Sequence, residues 1–249
     1  MKASIQPIHK QSAEAQALEM LRQCVTNGTL AAGSKLTETH LAKQLEVSRG
    51  TLRTALHQLT GEGLIVQTPY TGWAVMGLSA NDAWELYTLR MSLEGLAARL
   101  AATRATPEGL TRLKAAFENL KRACKAQDIA ATAEADFALH QTVIALANHG
   151  RLVAQYRLVE SQIRVYLVSS DALETNPKLI VAAHKPIVDA IVQGDAARAS
   201  SVIEQHIKVD GEILVSRLER MNRLEDGRKI GLERKAKSVK PRTKGSKTV

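Results

Sequence analysis

Residues 28–75 read GTLAAGSKLTETHLAKQLEVSRGTLRTALHQLTGEGLIVQTPYTGWAV, and this stretch decides the fold of the N-terminal part. Apolar side chains recur in it twice with a helical period. Leu41, Ala42 and Leu45 share one face of a segment that Thr37 can cap, with Glu38 in its first turn. Leu52, Ala55, Leu56 and Leu59 share one face of a segment that Ser48 can cap. Ser and Thr suit such openings because their side-chain oxygens accept hydrogen bonds from the free N–H groups of a first helical turn. A short turn containing Glu46 and Val47 separates the two segments, and Gly61 and Gly63 end the second. Two β-type runs follow, Leu64-Ile65-Val66 and Trp73-Ala74-Val75, and the residues Gln67 to Gly72 between them include Pro69 and Gly72, so they read as a hairpin. Upstream, Ser12 can cap a further helix whose stripe is Ala17, Leu18, Leu21 and Val25, stopped by Asn27-Gly28, and Gly33 falls in the connector. Three helices followed by a β-wing within residues 12–78 predict a winged helix-turn-helix DNA-binding domain.

The third helix leaves Arg49, Thr51, Arg53, Thr54 and Gln58 off its apolar face. Arg49 and Arg53 are i,i+4 neighbours in the N-terminal half, the end that a recognition helix pushes into the major groove. Arginine pairs bidentately with guanine and also grips phosphate, and both roles stay open for each. Two arginines on an isolated helix are usually solvated charges; the three-helix spacing and the wing favour DNA here. The net charge of +9 carries no part of this reading, because residues 12–78 hold five basic and five acidic side chains while residues 228–249 hold nine basic and one acidic.

From Ser79 to Asn222 the chain reads as six helical segments, roughly 80–104, 107–126, 128–147, 150–171, 176–193 and 195–222, punctuated by Pro107, Asn148-His149-Gly150, Pro177 and Gly194-Asp195. The expected fold class is mainly α: an N-terminal winged helix-turn-helix followed by an all-α six-helix bundle over 79–222. Residues 1–11 read as a polar arm and 223–249 as a basic, disordered tail, either attracting phosphate non-specifically or serving as a solubilising end. No apolar run reaches the roughly 18 residues of a membrane span. Met1 to Lys10 lack the apolar core of a signal peptide, and Cys24 and Cys124 form no metal spacing, so a reduced cytoplasmic setting is expected.

Asp136 and His140 lie on one face of a helix in the bundle, while His184 and His206 belong to its fifth and sixth segments. Three imidazoles and one carboxylate form a donor set suited to zinc, nickel, iron or manganese. Histidines on amphipathic helices are more often hydrogen-bonded core residues, so spacing alone leaves both readings open. Arg90 could bind an effector carboxylate with its fork of N–H donors, or pair at the surface with Glu94 at i,i+4. Arg164 and Tyr166 are further candidates for a pocket wall. No general base or nucleophile stands beside the four candidate ligands, which argues against an enzyme.

The run LA-x-x-L-x-VSR, the Arg-x-AL after it and the EGL-then-wing ending resemble the DNA-binding domain of GntR-type regulators. That resemblance implies that Ser48, Arg49, Thr51 and Arg53 contact DNA and that Gly72 lies at the wing tip. Gly50-Thr51 stands where the family often has Thr-Pro, Thr54 where it often has Glu, and Glu46 where it often has Gly, so the base sequence read is this chain's own. The pattern Arg90, Glu94, Ala97, Ala98, then Asp136…His140 with Ala147-Asn148, His184 leading into Ala190-Ile191, Gly194-Asp195 and His206, resembles the FCD effector domain of the FadR/VanR branch. It implies a metal site made by Asp136, His140, His184 and His206, with Arg90 near the effector pocket. Leu139 departs from the usual Phe, and six helices rather than seven point to the VanR-like subgroup. The expected function is a ligand-responsive transcription regulator, a repressor, binding a pseudo-palindromic double-stranded DNA operator as a homodimer. Its effector would be a small carboxylate, an organic or sugar acid, and the helix over 79–104 the lever between domains. The alternative is a metal sensor in which the metal itself is the signal.

Overall fold

The computed structural model describes residues 12–170 and 176–238, with side chains through Leu224. The expected arm at 1–11 and the residues 239–249 lie outside the described residues.

The N-terminal domain contains α1 (Ala13–Thr26), β1 (Lys35–Leu36), α2 (Glu38–Gln44), α3 (Arg49–Gly61), β2 (Ile65–Thr68) and β3 (Gly72–Val75). Ser12 caps α1, its hydroxyl accepting from the Ala15 N–H at 3.1 Å, and Ser48 caps α3 by accepting from the Thr51 N–H at 3.0 Å. Thr37 occupies the N-cap position of α2 without a side-chain capping bond, contrary to the expectation. Leu21, Val25, Leu52, Leu56, Leu59 and Leu64 are buried together, so the apolar stripes of the sequence make one core. The sheet has order β1-β3-β2 and is antiparallel throughout. β2 and β3 form the expected hairpin. β1 was read as a connector; it is a strand because Lys35 and Leu36 pair with Ala74 and Trp73. Glu46, in the turn between α2 and α3, has a φ of 53°, a left-handed conformation that glycine adopts without steric cost.

The second domain has α4 (Ala80–Arg104), α5 (Pro107–Ala126), α6 (Ile129–Leu146), α7 (Gly150–Ser169), α8 (Pro177–Val192) and α9 (Ala196–Ser238), the six-helix bundle expected. Asp195 caps α9 through the Arg198 N–H at 3.0 Å. α4 and α9 run against each other closely: a Cβ on Gly211 would come within 2.9 Å of the Tyr87 side chain. α9 runs beyond the expected limit at 222 to Ser238, where a disordered tail was expected. Arg, Lys, Glu and Leu dominate that extension, and all four are strong helix formers.

The domains also touch away from the 76–79 connection. On α7, the Gln162 side-chain amide donates to the Glu62 carbonyl at the C-cap of α3, at 2.8 Å. A Cβ on Gly28 would lie 2.8 Å from Val168 of the same helix.

Candidate functional site

Two sites emerge, one on each domain. The first is the exposed face of α3. Arg49 and Arg53 are both exposed there, as the spacing requires. The Ser48 and Thr51 hydroxyls are 2.8 Å apart, so both sit at the helix N-terminus, where N–H groups face outward. Arg53 donates through Nε to Glu38 at 2.8 Å, and the other oxygen of Glu38 accepts from Trp73 Nε1 at 2.9 Å. Glu38 thus ties α2 and β3 to α3. These bonds, Trp73's first, hold its pKa below the usual carboxylate range. Gly72, with a φ of 91°, pairs with Thr68 and closes the wing turn rather than forming its apex. The apex is Tyr70, which is fully exposed.

The second site lies inside the bundle. His140 from α6, His184 from α8 and His206 from α9 place a ring nitrogen each within 4.8 Å of one another. His140 Nε2 and His184 Nε2 are 3.1 Å apart, and Asp136 Oδ1 is 2.9 Å from His184 Nε2. All four positions singled out in the sequence therefore converge. The far nitrogens of two rings are occupied: His140 Nδ1 meets the Glu94 carboxylate, and His184 Nδ1 meets the Ile180 carbonyl at 2.8 Å. With those nitrogens donating, two imidazole lone pairs and a carboxylate face one another, an arrangement that needs a cation or a proton between them. The buried His206 Nε2 lacks a well-aligned hydrogen bond, although Asp210 Oδ2 is 3.4 Å away. Burial and the neighbouring imidazoles hold the His206 pKa well below its ordinary value, so it presents a neutral lone pair. Burial opposes charge on His184, but the adjoining Asp136 outweighs it and raises that pKa. The donor set fits a divalent transition metal, and the Glu94–His140 contact is the carboxylate support that metal-ligating histidines usually have.

Arg90 and Glu94 form a buried pair, 3% and 0% exposed, with Nε to Oε1 at 2.6 Å. The surface ion pair considered from the sequence is thereby corrected: both groups are inside the bundle. Tyr156 donates its hydroxyl to the same Glu94 oxygen at 3.0 Å. Burial alone would raise the Glu94 pKa, but the charges of His140 and Arg90 reverse this and hold it at about 2. Arg90 Nη2 is buried with no partner. Arg90, Asp136, His184 and His206 all line one cavity of about 610 Å³. Its charged lining residues are Arg90, Asp136 and Asp210, and most of the rest of its lining is apolar.

Arg164 and Tyr166 do not line this cavity. Arg164 is held by Glu160 at 3.0 Å and Glu134 at 2.5 Å, over the Phe137 ring, and Tyr166 lies in the cleft between domains. The sequence reading missed Asp210, which lines the cavity and whose pKa burial raises to about 6. Its spacing of four from His206 repeats that of Asp136 and His140 and was a usable signal. Glu94 was seen only as the partner of Arg90.

A winged helix joined to a helical ligand-binding bundle defines a class of transcription regulators. Residues 13–75 match the family "Bacterial regulatory proteins, gntR family", and residues 85–209 match the FCD domain. The chain belongs to the GntR family and carries an FCD effector domain; it is a transcription regulator and not an enzyme. It is 26% identical over 214 residues to a protein of Paenarthrobacter nicotinovorans named "Probable D-xylose utilization operon transcriptional repressor", covering 83% of this chain and 91% of the relative. It is 34% identical over 134 residues to the "Nta operon transcriptional regulator" of Aminobacter aminovorans, covering 53% of this chain and 62% of that one. The fold is also that of E. coli McbR/YncC, with a TM-score of 0.71 and 20% identity over 83% of this chain and 99% of the other.

Proposed function

We propose that the chain is a cytoplasmic, ligand-responsive repressor that binds a pseudo-palindromic operator as a homodimer. Arg49 and Arg53 on α3 read or grip the DNA, Ser48 and Thr51 bind phosphate at the helix N-terminus, and the wing at Gly72 and Tyr70 lies against the backbone. Membership of the family and the name of the D-xylose relative support repression, and no helix among the described residues is long and apolar enough to cross a membrane. Asp136, His140, His184 and His206 hold a divalent ion, from zinc, nickel, iron or manganese. Such an ion would supply Lewis-acid chemistry there, and Arg90 would hold the carboxylate of an effector. The single observation carrying this reading is the meeting of those four donors beside one cavity, which Asp136, His184, His206 and the unpaired Arg90 line.

An effector can change DNA affinity only by binding one domain arrangement better than another. α7 is the natural lever, because Tyr156 holds Glu94 at the site while Gln162 holds the end of α3. α4 contributes through its direct connection to β3.

The test is to select duplexes from a random pool with the full chain, then measure affinity for the selected DNA with zinc, with chelator and with a panel of carboxylates. The expected outcome is an operator whose affinity falls when a carboxylate is added to the zinc-loaded chain. A response to metal with none to any carboxylate would establish the metal sensor instead. Failure to enrich any sequence would contradict both.

A further inference from the structure

The cavity's lining points to the chemical class of its occupant. We propose that it selects a monocarboxylic acid with an apolar body, aliphatic or aromatic, over sugar acids and over di- or tricarboxylates. This rests on reading the cavity as the effector site. The anion anchor is Arg90, 3% exposed and with Nη2 unpaired. Asp210 is the one acidic lining residue outside the proposed ligand set, and it sets like charge against a second carboxylate on the same ligand.

The apolar lining includes Ile129, Phe137, Leu179, Ile180, Val202 and Ile213. Among the described lining residues the uncharged hydrogen-bonding side chains outside the proposed ligand set are Tyr87, Thr132, Ser201 and Gln205. A sugar acid carries several hydroxyls, each a donor and a double acceptor. Four side chains cannot satisfy them, and each hydroxyl stripped of water without a partner weakens binding roughly tenfold. The apolar walls reward the opposite ligand: each methylene buried against them strengthens binding roughly fourfold. Ile129, Leu179 and Ile213 at the cavity rim are 59%, 61% and 49% exposed, leaving apolar surface that such a body covers.

Isothermal titration of the purified, zinc-loaded full chain with butanoate, hexanoate, octanoate, 3-phenylpropanoate, gluconate and citrate tests this. The expected result is a Kd that falls about fifteenfold for each pair of methylenes, with gluconate and citrate at least a hundredfold weaker than octanoate. The Leu179→Gln/Ile213→Gln variant, altered at two half-exposed positions and checked for native helicity, should lose octanoate affinity at least tenfold and keep that for butanoate. A flat chain-length series, or octanoate binding indifferent to the variant, overturns the proposal. Tightest binding by gluconate or citrate overturns it while leaving the carboxylate-effector reading intact. Binding of none of the six acids overturns both.

Discussion

Arg53, proposed above to contact DNA, is held in place by a neighbour on α2. Its Nε is bonded to Glu38, which leaves the guanidinium's two terminal nitrogens to form a fork toward a base or phosphate. Arg49→Ala and Arg53→Ala should each weaken binding to selected DNA by about 1–3 kcal/mol where the arginine reads a base. A phosphate contact would instead weaken all sequences alike and lower the salt dependence; anisotropy at two salt concentrations separates the cases, and unchanged binding in both variants would contradict the recognition-helix assignment. Glu38 carries a second prediction. Its folded pKa is depressed, so its contribution is complete above the ordinary glutamate range and is lost as pH falls through the folded value. Arg53 is largely exposed, which screens the pair, so Glu38→Gln should cost about 1 kcal/mol at pH 7. Urea unfolding of wild type and variant should show that difference at pH 7 and its disappearance in strong acid. Equal stabilities at pH 7 would remove Glu38's structural role.

At the scale of elements, the helices of the N-terminal domain were legible because each carries its own apolar stripe, and those of the bundle because Pro, Gly and Asn punctuate them. The structure reproduces α1, α3 and the bundle helices α4 to α8 within a few residues, whereas α9 continues well past its expected limit at 222. β1 was not legible: Lys35 and Leu36 are a strand only by pairing with Ala74 and Trp73, far along the chain. The Glu38–Trp73 bond and the Gln162–Glu62 bond were hidden for the same reason, since neither leaves a local pattern. The four centre residues were located by their types and by family likeness, whereas the burial of Arg90 and Glu94 depends on packing among α4, α6 and α7. Gln162 gives the element-scale test. Gln162→Ala should leave metal content and ligand affinity unchanged while shrinking the ligand's effect on DNA affinity, measured as the ratio of operator Kd with and without ligand. An unchanged ratio would remove α7 as the lever. Close packing of α4 on α9 gives another. Gly211→Ala drives a methyl into Tyr87 and should destabilise the bundle by about 1–3 kcal/mol, read by denaturant unfolding; no loss of stability would mean that α4 and α9 can separate freely.

For the whole molecule, charge and function are placed apart. The DNA-binding domain is neutral, while the last residues of the chain carry most of the net positive charge. The proposed reading of DNA therefore rests on where Arg49 and Arg53 stand rather than on the charge of the domain that carries them. The effector domain works the same way: a buried chain of Arg90, Glu94 and His140 aims one imidazole at the point where His184, His206 and Asp136 meet. That centre joins the proposed effector chemistry to the DNA-binding domain, so its metal content is the most direct test. Elemental analysis of the purified full chain, reloaded after chelation and desalted, should give one divalent ion per chain, and His184→Ala/His206→Ala should carry none while retaining native helicity. A wild-type chain that binds no ion, or a double variant that stays fully loaded, would contradict the account.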